Sequence, residues 1–238
     1  AAYSDGTLTN ARNFCDVVSA GKCVGGVQGG GSGSVSGCEN HGAVRGYGYV
    51  GGVAGNAGAV SGSANSGAVS GAHQYIGGVA GSASSVADCE NAGGVSIRGV
   101  FVTSHDRYEG GYLGGVAGNT GSVRDCVNRG DVKTDAQGDA FISSAAGVAG
   151  RCTDTTSNCR NYGSVAIRGS YIAGVTGGNG GGRVVKCINY GDVINSADGG
   201  EQTGGVASAG QVELCVNYGD VRGHQSVGGV CGGTANST

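Results

Sequence analysis

Along this chain the apolar residues fall into two short phrases that alternate almost from end to end. The first is an aliphatic residue followed by GGV, opening at Val24, Val50, Ile76, Leu113 and Val227, with variants AAGV from Ala145, IAGV from Ile172 and TGGV from Thr203. The second reads V-x-x-C-x-N-x-G-x-V. Cys38, Cys89, Cys126, Cys159, Cys187 and Cys215 fill its sulfur slot, and Ser63 takes that slot in one copy. Asn40, Asn65, Asn91, Asn128, Asn161, Asn189 and Asn217 fill its amide slot, each with glycine two residues on and valine four on.

A period of roughly 24 to 37 residues, built from valine-centred runs too short for helices, predicts a solenoid in which each repeat is one coil of short strands. Coils stacked about 4.8 Å apart would place identical side chains in columns. Valine and isoleucine would fill the narrow interior, and the asparagines would form an amide ladder at a turn. The opening stretch LTNARNFCDVVSAGK departs from the phrases. Leu8, Ala11, Cys15 and Val18 follow helical spacing, Thr9 or Asn10 can cap the start, and Gly21 can end the run. The expected fold is therefore all-β: one domain over 1–238, a parallel β-solenoid of about seven to eight coils over 24–238, closed by a short N-terminal capping helix within 1–23. Its axis would run roughly 35 to 40 Å.

Composition narrows the partners. The 238 residues include 55 glycines and no proline, methionine or tryptophan, and the formal charge is −3. Without a Gly-x-y period or proline the chain is not collagen, and its ordered hydrophobic phrases argue against disorder. Missing proline suits continuous backbone ladders. No apolar run is long enough for a membrane span, and no basic stripe is present to follow nucleic acid. The missing methionine fits a processed chain or an excerpt of a longer one, and a start at AAYSDG would suit a mature end left by signal cleavage. The closing VGGVCGGTANST ends on the first phrase without a second, so the last coil is expected to be completed by further chain or by something else.

The phrases GGVAGN and GGVAG, followed each time by CxNxGxV, resemble the GLUG-motif repeats of bacterial surface adhesins and of the stalks of immunoglobulin A specific metallopeptidases. The resemblance covers roughly residues 24 to 231, with valine where the family's name has leucine. It implies a β-solenoid at a bacterial surface. The zinc signature H-E-x-x-H is absent, so peptidase activity is not implied.

Catalytic motifs are missing from the sequence. GYGYVG at 46–51 matches a dinucleotide fingerprint only as chance allows at this glycine content, and no nucleophile elbow or phosphate loop occurs. His41, His73, His105 and His224 are scattered, so no metal or cofactor is expected. Arg129–Asp131 spells RGD, yet Asp192 and Asp220 stand in the same slot without arginine, and the match reads as coincidence. Column cysteines read mainly as small packing residues, although the coil spacing permits disulfides. Cys15 with Cys23 and Cys152 with Cys159 lie close enough to close short loops in an exported protein.

Candidate binding residues come from the longest insertion and from two tyrosine columns. SIRGVFVTSHDRYEGGY at 96–112 gathers His105, Arg107, Tyr108 and Tyr112. Tyr49, Tyr75, Tyr112 and Tyr171 precede the first phrase, while Tyr162, Tyr190 and Tyr218 follow the repeat asparagine. Both columns should point outward, either as rungs that stack on one another or as a surface for sugar rings or another protein. The functional expectation is a non-enzymatic, extracellular or cell-surface module, an adhesin or stalk with a host glycan or surface protein as partner. One alternative is a filament subunit that stacks on copies of itself. A solenoid carbohydrate-active enzyme is a distant second, because Asp and Glu are thinly spread.

Overall fold

The computed structural model describes residues 4–98, 111–135, 141–179 and 182–233. Among the described residues every regular element is a strand, and every strand pair is parallel with its partner in the next coil. Four sheets wrap the axis, three of eight strands and one of ten. The first coil shows the plan, with strands at Leu8–Thr9, Arg12–Asn13, Val17–Val18 and Cys23–Gly25, one in each sheet. Seven further coils repeat it, so the expected solenoid of seven to eight coils is what the chain forms. No helix of the described residues is long and apolar enough to cross a membrane.

The expected capping helix is not there. Leu8 pairs with Val35, Asn13 with Asn40 and Val17 with Val44, which makes this stretch another copy of the second phrase. Ala11 stands in its cysteine slot and Cys15 in its glycine slot, so the phrase is masked and the leftover apolar residues happen to fall at helical spacing. Ladder bonds to the coil above outweigh a short isolated helix, which is marginal in water.

Two apolar columns fill the interior. One is built on Val35, Val60, Val86 and Val123 with the cysteines, the other on Val44, Val69, Ile76, Val95 and Leu113. The asparagine ladder is confirmed and longer than expected. From Asn13 to Asn217 each side-chain N–H donates to the Oδ1 of the asparagine one coil on, at 2.7 to 2.9 Å. The other N–H donates to the carbonyl two residues ahead, such as Gly130 O from Asn128 at 2.7 Å. The second glycine of GGV makes room for this ladder: a methyl on Gly52 or Gly78 would overlap the amide of Asn65 or Asn91.

One residue per coil turns the corner between the first two sheets in the left-handed region. Asn10, Gly37, Gly62, Asp88, Asp125, Asn158, Lys186 and Leu214 hold this place, with φ between 52° and 61°. The cysteine slot follows directly. Cys89, Cys126 and Cys159 donate to the carbonyl two residues back at 3.1 to 3.2 Å. Ser63 does the same at 2.9 Å, which shows why serine can replace sulfur there. All ten cysteines are free, so neither suggested short-loop disulfide is formed: Cys15 and Cys23 are exposed, while Cys152 and Cys159 are buried. Burial pushes the Cys152 thiol up, and hydrogen bonding to Cys126 and Cys187 together with burial does the same to Cys159.

Candidate binding surface

The outer face carries aromatic rings in register with the coils beneath them. In the first column Tyr49 meets Tyr75 edge to face at 4.9 Å, and Tyr75 stacks on Tyr112 at 5.4 Å with rings 2° from parallel. The next rung is Ser144, and Tyr171 resumes the column one coil later. Arg151, on the coil beyond Tyr112, lays its guanidinium 5.4 Å from the Tyr112 ring centre. The Tyr171 hydroxyl donates to the Glu201 carboxylate, and this bond raises the phenol's pKa, with burial adding to it. A cleft of about 300 Å³ opens between these groups, lined by Tyr112, Ser144, Arg151 and Tyr171.

The second column sits one residue after the ladder asparagines. Tyr162, Tyr190 and Tyr218 stack at 4.7 and 5.1 Å, and Arg129 covers the Tyr162 ring at 4.9 Å. Farther toward the N-terminus, Phe14 stacks on His41 at 4.9 Å, and His41 Nδ1 reaches Ser66 Oγ at 2.9 Å. The first of the two roles weighed for these rings is observed. They pair with one another, and Tyr162 and Tyr190 remain 41% exposed and Tyr218 68%.

Of the residues singled out from sequence, Tyr112 joins the first column and Tyr162, Tyr190 and Tyr218 form the second. The two groups lie on different faces. His105, Arg107 and Tyr108 lie outside the described residues. Arg151, Ser144 and Glu201 were missed, because each breaks its column and a scan for repeated residue types passes over it. Tyrosine at 75, 112 and 171 with serine at 144 was the available signal.

The acidic slot after the ladder glycine serves the backbone. Asp131 Oδ1 accepts from the Ser164 N–H and hydroxyl at 2.9 and 2.8 Å, and Asp192 Oδ1 accepts from the Asp220 N–H at 2.9 Å. Arg129 is committed to Glu90 at 2.6 Å, so the RGD triplet is part of the coil-to-coil bonding. Among the described residues no three His, Cys, Asp or Glu side chains gather as a metal site. Comparison with family models, with curated proteins and with solved structures finds no match to this chain.

Proposed function

We propose that this chain is a non-enzymatic extracellular or cell-surface module of bacterial type that works as an adhesin or as the stalk that presents one. The observation that carries this reading is the outward aromatic columns, fixed on a backbone ladder that runs through eight strands in each of three sheets. Such a scaffold holds rings at a set spacing with little entropy left to lose on binding. The likeness of the repeated phrases to GLUG-motif proteins supports the same reading. The test is adhesion of the purified chain to epithelial cells and to a glycan array. The variant Tyr162→Ala, Tyr190→Ala, Tyr218→Ala and the variant Tyr112→Ala should each keep the native circular dichroism, and at least one should lower binding tenfold or more. An intact chain that adheres to nothing removes the adhesin half and leaves the stalk.

A second reading is a filament subunit in which copies stack along the solenoid axis, since the parallel ladders present the same backbone bonding pattern coil after coil. Fibres that lengthen with concentration, seen by electron microscopy, favour this reading over the first.

A further inference from the structure

The first tyrosine column is interrupted once. Tyr75 pairs with Tyr112, Tyr112 with Ser144 and Ser144 with Tyr171, so the two tyrosines flanking the serine belong to coils roughly 9.6 Å apart. That is about twice the ring spacing where the column is filled, 5.4 Å between Tyr75 and Tyr112. The gap is one ring thick. The Ser144 side chain does not fill it, because its hydroxyl turns into the wall and donates to Gly150 O at 2.6 Å, leaving the residue buried. What remains is the cleft of about 300 Å³.

We propose that this missing rung is a binding slot for one pyranose ring that carries a carboxylate, a hexuronic acid residue of an extracellular polysaccharide. The proposal rests on the adhesin reading and names the ligand class for that surface. Tyr171 offers an aromatic wall against which the C–H face of a pyranose stacks. Arg151 lays its guanidinium over Tyr112 at the height of the interrupted rung, so a ring that stacks on Tyr171 displaces it toward the mouth of the cleft, and among the described residues no carboxylate pairs with it. A planar guanidinium recognises a carboxylate through two parallel hydrogen bonds. Glu201, next to Tyr171, accepts hydrogen bonds from sugar hydroxyls, which a flat hydrocarbon ring cannot supply. An aromatic side chain of a protein partner fits the same width but gives the Arg151 guanidinium no carboxylate to pair with.

The experiment is titration of the full chain, followed by ligand-observed magnetic resonance, with three probes: sodium glucuronate, glucose and p-cresol. Glucuronate is expected to bind at least tenfold more tightly than glucose or p-cresol. Arg151→Met should lower glucuronate affinity at least tenfold and erase its preference over glucose. Ser144→Tyr, which restores the rung, should abolish binding, while Lys133→Ala, an exposed residue on another sheet, should change nothing. If Ser144→Tyr fails to give the native circular dichroism, Tyr171→Ala replaces it and should weaken binding at least tenfold. Equal affinity for glucose and glucuronate, preference for p-cresol, or undiminished glucuronate binding in Arg151→Met or in the slot variant overturns the proposal. Cell adhesion measured in parallel separates the two readings. Adhesion by a chain that does not bind glucuronate sinks the slot alone, whereas glucuronate binding without adhesion sinks the adhesin reading and keeps the slot.

Discussion

Asn128 shows how much one side chain does in this fold. It is fully buried, donates to Gly130 O at 2.7 Å and to Asn161 Oδ1 at 2.8 Å, and accepts from Asn91 at 2.9 Å. Removing it leaves three buried polar atoms short of a partner, each costing about 1–3 kcal/mol. Asn128→Ala is therefore expected to destabilise the chain by about 3 kcal/mol or more in urea titration. Asn13→Ala, at the half-exposed end of the same ladder, should cost less than about 1 kcal/mol, because water replaces what is lost. Equal losses at both positions would mean that the amides contribute through something other than the buried ladder. This column was legible in the sequence because its chemistry admits one residue type. Only an amide can accept and donate twice in the same plane. Arg151 and Ser144 were not legible for the opposite reason: each matters because it differs from its column, and deviation looks the same as drift until neighbouring coils are laid on one another.

At the scale of the strand and its corner, the backbone sets the demand and the side chains meet it unevenly. The corner residue before each cysteine slot sits at positive φ, where glycine is free of cost and Asn or Asp is tolerated. Six of the eight coils have one of those types, whereas Lys186 at φ 55° and Leu214 at φ 52° do not. Lys186 is exposed and its backbone N–H bonds Glu213 O at 3.0 Å, an interaction that glycine keeps. Lys186→Gly is expected to raise the unfolding free energy by about 1 kcal/mol, the part of the left-handed penalty that survives the added freedom of the unfolded chain. A lower midpoint in thermal or urea unfolding would show that the lysine stem contributes more than its backbone costs. The same corner explains one misreading. Asn10, one of the two candidates for the helix cap, is the left-handed corner of the first coil, a role that the same short polar side chain fills equally well.

Taken whole, the molecule is close to one-dimensional, since each coil touches only the coils on either side and its stability is approximately a sum of neighbour terms. End coils have one neighbour, so opening should begin there. The cysteines provide a reporter in nearly every coil: Cys126 and Cys159 are buried in the middle, Cys215 is half-buried near one end, and Cys15 and Cys23 are exposed at the other. Thiolate is the reactive form, and both the hydrogen bonds and the burial that raise the Cys159 pKa hold it back further. With a thiol reagent in urea below the midpoint, followed by mass mapping, Cys15 and Cys23 should label at once and Cys215 and Cys231 next. Cys126 and Cys159 should label last, at a rate that tracks global unfolding. Asn128→Ala, which cuts the ladder in the middle, should bring the Cys126 rate toward that of Cys215 while leaving Cys15 unchanged. A single shared rate for all buried cysteines in the unmodified chain would instead show that neighbour coupling is strong enough to make the eight coils one cooperative unit, a rod that stays whole or opens at once.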